Sequence, residues 1–301
     1  HTRYWRDWSS DVCSSDLTGG ASATNNPTIV FGTLSNRTNT VQTVTYRVTP
    51  TSGNCTGATF TVIVTLNPTP EVSAMTTVTC SGVPFVVTPM NVTNGIVPGD
   101  TRYSWNVPTY TGTVTGGASA TNNPTTVYGS LLNRTNSTQT VTYIVTPQTV
   151  LGSCQGASFT LTVTLPPTAE ITTMTTVTCS GVPFVVTPTN IANGIVPDGS
   201  TYSWNAPTYT GTVTGGQTIT ANPTTVFGTL SNRTNTVQTV TYRVTPTSGN
   251  CTGAAFTVIV TLNPTPEVIE MSRVTCSGAS FTDRKSTRLN SSHANISYAV
   301  F

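Results

Sequence analysis

The 301-residue chain is predicted to be all-β, a string of small two-sheet β-sandwich domains. Three observations lead there. The segment MTTVTCSGVPFVVTP begins at Met75 and again at Met174, and a degenerate copy, EMSRVTCSGASF, surrounds Met271. The spacing of roughly a hundred residues is too long for a solenoid and long enough for a complete small domain. Apolar residues alternate with threonine, the two-residue period of a strand with one covered face. Between these runs stand clusters of Pro, Gly, Asn and Asp, such as TNGIVPGD and VTGGASATNNP, and no helical period is found.

The elements follow in order. In TVTYRVTP, Val44, Tyr46 and Val48 face inward and Arg47 outward; the copies place Tyr143 and Tyr242 inward, and Ile144 stands at the first outward position. In ATFTVIVTLN, Phe60, Val62, Val64 and Leu66 share the inner face, opposite Thr61, Ile63 and Thr65. PFVVTP supplies Phe85 and Val87, TRYSWN puts Tyr103 and Trp105 on one face, and the copy repeats them as Tyr202 and Trp204. A tryptophan on this central strand is a core residue first and a sugar-stacking platform second. Threonine, β-branched yet polar, suits the solvent face. Roughly seven short strands per repeat imply an immunoglobulin-like sandwich. The division is 18–69 for the second half of a repeat, 70–167 and 168–265 for two full repeats, and 266–282 for the start of another. The proline-bearing linkers LNPTPE and LPPTAE are short, semi-rigid spacers.

The order CSG-x-PF, Y-x-W, VTYxVTP, C-x-G resembles the PKD-like repeats of large bacterial cell-surface proteins of the Bacteroidota type. The resemblance covers residues 18–282 and implies export to the cell surface and a role in gliding or adhesion. The W-x-FGDG continuation of true PKD domains is absent, since Trp105 is followed by NVPTY.

The two ends read differently. A choice of codons exists for HTRYWRDWSSDVCSSDL, residues 1–17, whose reverse complement encodes DRKSTRLNSSHANISY, residues 283–298. Both ends are therefore expected to be one sequencing-adapter element translated from opposite strands, and residues 1–17 and 283–301 non-native. Any export signal or anchor is expected outside the fragment. A secretory leader needs an apolar run of roughly 7–15 residues and a membrane helix roughly 20; neither occurs in the chain.

With the ends set aside, no histidine or lysine remains. Arg37, Arg47, Arg102, Arg134, Arg233, Arg243 and Arg273 stand against Glu71, Asp100, Glu170, Asp198, Glu267 and Glu270. Near-neutrality excludes nucleic acid as an electrostatic partner. General acid–base chemistry draws on poised clusters that this inventory lacks, so no catalytic, cofactor or metal residue is expected. Asp100 and Asp198 are single turn residues, whereas calcium asks for clustered oxygens. Asn36, Asn54, Asn91, Asn133, Asn136, Asn232 and Asn250 each begin an N-x-S/T triplet, as composition alone would produce.

Two cysteines per repeat suggest a disulfide framework in an oxidising compartment. The cysteines 25 residues apart, such as Cys154 and Cys179, would have to close a strand–linker–strand path of roughly 80 Å. Pairing within repeats, Cys80–Cys154 and Cys179–Cys251, is the preferred alternative; unpaired buried thiols are the other. The expected function is a non-catalytic spacer in an extracellular or cell-surface adhesin-like protein, with neighbouring repeats as partners. The alternatives are a module binding surface glycan or protein through tandem avidity, and the stalk of a secreted hydrolase.

Overall fold

The structure, a computed structural model, describes residues 17–20, 28–266 and 274–279. The expected non-native ends lie outside the described residues except for Leu17. Apart from one 3₁₀ turn at Leu151–Ser153, every regular element described is a β-strand. The chain divides into two compact units, residues 1–133 with 138–166, and residues 134–137 with 167–301.

The half-repeat contains β1 (Leu17–Gly19), β2 (Leu34–Asn36), β3 (Gln42–Val48), β4 (Thr51–Ser52), β5 (Cys55–Thr56) and β6 (Phe60–Leu66). β3 and β6 form an antiparallel ladder from Gln42 beside Leu66 to Val48 beside Phe60. Leu17, Val44, Tyr46 and Val48 form its core. Leu17 takes the place that Val114 and Val213 take in the full repeats, next to the same Thr-Gly-Gly, so its side chain serves the same packing. Phe60, expected inside, is 46% exposed, while its copies Phe159 and Phe256 are 5% and 4% exposed. Those copies lie edge-on against Tyr103 and Tyr202, and the strand bearing those tyrosines has no counterpart in residues 28–66.

The first full repeat runs through β7 (Glu71–Val72), β8 (Met75–Val78), β9 (Phe85–Val87), β10 (Gly95–Ile96), β11 (Thr101–Trp105), β12 (Thr109–Tyr110), β13 (Val114–Gly116), β14 (Val127–Gly129), β15 (Leu131–Asn133), β16 (Gln139–Thr149) and β17 (Phe159–Leu165). Its main sheet has the order β11–β16–β17–β8, with β12 also paired to β16. All its pairs are antiparallel except β8 with β17, which sets Met75 beside Leu161. The pairs β9–β14, β13–β15 and β7–β10 complete the strand pairing. Along β16 every second side chain is buried, which is why the alternation in QTVTYIVTPQT was readable. The strand continues through Pro147 instead of ending there. β17 stops pairing at Phe159, opposite Val145, and the Pro147 carbonyl accepts from the Gly156 N–H, so no ladder donor is missed.

The second full repeat has the same order: β18 (Glu170–Ile171), β19 (Met174–Cys179), β20 (Phe184–Val186), β21 (Gly194–Ile195), β22 (Thr201–Trp204), β23 (Thr208–Tyr209), β24 (Val213–Gly215), β25 (Val226–Gly228), β26 (Leu230–Asn232), β27 (Gln238–Ser248), β28 (Cys251–Thr252) and β29 (Phe256–Asn263). β19 runs parallel to β29 as far as Cys179 beside Asn263. β27 and β28 close a hairpin with Ser248 opposite Cys251.

Candidate functional site

The tyrosines and tryptophans singled out in the sequence are all interior. Tyr46, Tyr103, Trp105, Tyr143, Tyr202, Trp204 and Tyr242 are buried. Trp105 lies edge-on to Tyr143 and Tyr128, and Trp204 repeats the arrangement with Tyr242 and Phe227. The Trp105 indole N–H donates to the Ala118 carbonyl at 3.0 Å. These rings are therefore closed to a stacking sugar. The Tyr143 and Tyr242 hydroxyls are buried without a hydrogen-bond partner. A Cβ on Gly129 would lie 3.0 Å from the Tyr143 hydroxyl, and one on Gly228 would lie 3.1 Å from that of Tyr242. Burial pushes the Tyr103 and Tyr143 phenols up to about 12, with Tyr110 adding to the effect at Tyr143. It raises Tyr202 and Tyr242 in the same direction, with Tyr209 adding at Tyr242.

The two recurring cysteine motifs lie at opposite ends of each repeat. In C-S-G, glycine takes a positive φ, +82° at Gly82 and +81° at Gly181. The turn closes by Val83 N–H to the Cys80 carbonyl and Val182 N–H to the Cys179 carbonyl, both 3.0 Å. The serine hydroxyls accept from the backbone N–H of Asn133 and Asn232, both at 2.9 Å. This turn holds the outgoing linker: Ser81 N–H donates to the Pro166 carbonyl, and in the next repeat the Thr265 hydroxyl donates to the Ser180 carbonyl at 2.8 Å. In C-x-G the glycine receives the incoming linker. A Cβ on Gly156 would lie 1.9 Å from the Pro70 carbonyl oxygen, and one on Gly253 would lie 2.3 Å from that of Ala169. The early cysteine thus marks the exit of a repeat and the late cysteine its entry.

This placement corrects the expected pairing within repeats. Cys179 lies beside Asn263 at the Gln238 end of β27, while Cys251 lies at the Ser248 end. At 3.3 Å per residue those ends are about 33 Å apart, whereas bridged Cα atoms lie within about 7 Å. The same strand order separates Cys80 from Cys154. Neither Cys80–Cys154 nor Cys179–Cys251 forms: Cys154 and Cys179 carry free thiols, as do Cys55 and Cys276, while Cys80 and Cys251 are disulfide-bonded.

A family model for the PKD-like domain matches residues 6–70, 77–169 and 176–266. The chain belongs to the PKD-like domain family. No curated protein matches it. Similar solved structures include immunoglobulin domains 1–5 of Sidekick-1, at 12% identity and TM-score 0.25 over 64% of this chain and 37% of that one. DIP-gamma IG1+IG2 is similar at 10% identity and TM-score 0.27, over 67% of this chain and 100% of that one. The Bacteroides ovatus SGBP-B from a mixed-linkage glucan utilization locus, in complex with a mixed-linkage heptasaccharide, is similar at 12% identity and TM-score 0.18, over 74% of this chain and 54% of that one. The chain thus spans about a third to a half of the length of several of these structures. PKD-like and immunoglobulin-like repeats are typically non-catalytic and typical of extracellular proteins. Among the described residues no helix is long and apolar enough to cross a membrane.

The remaining surface of the PKD-like repeats offers little shared chemistry. A depression of about 290 Å³ in the second full repeat is lined by Trp204, Ala206, Ile219, Arg243 and threonines. Its counterpart in the first repeat carries Val107, Ala120 and Ile144 at three of these positions, so its only cation does not recur. Asp100 accepts the Leu151 N–H at 2.7 Å and so caps the 3₁₀ turn. Asp198 stands one position earlier in its turn, PDGS where the first repeat has PGDT. No cluster of three or more His, Cys, Asp or Glu residues is present among the described residues. Asn36, Asn133 and Asn232 use their side-chain nitrogen within the fold, donating to the carbonyls of Leu66, Leu165 and Leu262 at 3.2, 3.0 and 3.2 Å. That nitrogen is the atom a glycan would need. The sequence missed this role because N-x-T reads the same whether the asparagine points in or out.

Proposed function

We propose that these PKD-like repeats are non-catalytic structural beads, the spacer of an extracellular or cell-surface adhesin-like bacterial protein. The observation that carries the reading is which residues the two full repeats share. They share the aromatic core, the C-S-G and C-x-G turns and the glycines that receive the linkers. They differ at outward positions: Arg243 against Ile144 on the sheet and Ala206 against Val107 beside the depression. A binding module working through tandem avidity needs the same ligand-facing groups in each copy. A spacer needs only the same bead and the same joint.

The test is a screen of the oxidised full chain against a glycan array and immobilised surface-protein extracts. No saturable binding is expected on any glycan. Saturable binding lost on Arg243→Ala would replace the spacer reading with a binding one.

A further inference from the structure

We infer that the outer edge of β6 is a strand-acceptor site, whose ligand is the segment Met271–Ser277 of a second copy of this chain. The octapeptide FTVIVTLN is written twice, from Phe60 in β6 and from Phe256 in β29. In β29 it pairs on both sides. It is antiparallel to β27 and parallel to β19, with Met174 beside Val258 and Cys179 beside Asn263. β17 of the first full repeat lies in the same way between β16 and β8. Among the described residues β6 pairs only with β3. The side chains register the difference. Val62, Val64 and Leu66 are half-buried, whereas Val258, Val260 and Leu262 are fully buried.

The chain itself carries a strand that fits this edge. MTTVTCSG at Met75 and Met174 is written again as MSRVTCSG at Met271. The turn that ends this strand is formed in the third copy as in the first two: Gly278 has a φ of +81°, and the Ala279 N–H donates to the Cys276 carbonyl at 3.1 Å. Val78 and Val177 lie in the ladder beside Thr164 and Thr261. Their copy Val274 pairs with no strand among the described residues and is 99% exposed.

The register carries over from the full repeats. There the Thr79 N–H donates to the Thr164 carbonyl at 3.1 Å, and the Ser180 N–H to the Asn263 carbonyl at 2.9 Å. On β6 the same two bonds run from Thr275 to Thr65 and from Ser277 to Asn67, with Met271 beside Val62. Met75 and Met174 pack against the cores of their repeats, so the methionine is the anchoring side chain. Strand addition draws affinity from main-chain hydrogen bonds and specificity from the side chains that alternate inward. Each copy offers one acceptor and one donor, so the contact is heterologous and extends head to tail. It goes beyond the spacer reading and is independent of it, since no glycan or foreign protein takes part.

Sedimentation velocity of the full chain in reducing buffer, over a wide range of concentration, tests the site. The weight-average sedimentation coefficient should rise with concentration. An excess of the synthetic peptide PEVSAMTTVT, residues 70–79, should fill the acceptor and return the coefficient to its monomer value. Thr275→Pro removes the N–H that reaches Thr65 and should weaken association about tenfold or more. Thr275→Val keeps that N–H and should leave association unchanged. Thr275 stands outside both full repeats, so neither variant touches their cores. A chain that is monomeric at every concentration would overturn the proposal, as would an association that either the peptide or Thr275→Pro leaves unchanged.

Discussion

Gly253 and Gly181 illustrate two reasons for a glycine. A Cβ at Gly253 would lie 2.3 Å from a linker carbonyl, while at Gly181 nothing lies within 4 Å and only the φ of +81° is unfavourable. Gly181→Ala should therefore cost about 1 kcal/mol, and Gly253→Ala about 2–3 kcal/mol because the linker must move; urea unfolding midpoints of the two variants would show the order. Asn232 holds more: its amide bridges the carbonyls of Thr236 and Leu262, and its Oδ1 accepts from the N–H and hydroxyl of Thr234. Asn232→Ala removes the buried donor to the Leu262 carbonyl together with the half-buried acceptor of Thr234, and should cost about 3 kcal/mol. The buried phenols set the alkaline limit. Their folded pKa is raised, to about 12 at Tyr103 and Tyr143, so the neutral form is the one the fold accommodates. Their contribution is complete below the unfolded value near 10 and is lost as pH rises through the folded value. The unfolding midpoint should be insensitive to these groups up to about pH 9 and fall above about pH 10; a chain equally stable at pH 11.5 would refute this.

At the scale of the strand, the two faces of β16 and β27 have separate roles. The inner face carries Tyr143 and Tyr242 against Trp105 and Trp204. Removing the indole by Trp204→Ala should cost about 3–5 kcal/mol, through lost packing and the cavity left behind. The outer face carries Ile144 and Arg243, both exposed, and Ile144→Arg should change stability by less than about 0.5 kcal/mol. This division was legible in QTVTYIVTPQT because strand alternation is a local property. The continuation through Pro147 was not, because it depends on where β17 stops pairing. The exposure of Phe60 was also hidden, since it follows from a covering strand that residues 28–66 do not contain.

At the scale of the whole chain, each full repeat closes a core of its own, with Tyr143 central to the first and Tyr242 to the second. Repetition, alternation and turn chemistry are written along the chain, so the sequence by itself determined the all-β class and the aromatic core. That the two cysteines of one repeat do not pair was decided only by the tertiary structure. An eleven-residue strand holds the two cysteines of one repeat at opposite ends, and that distance cannot be read from the spacing of cysteines in the sequence.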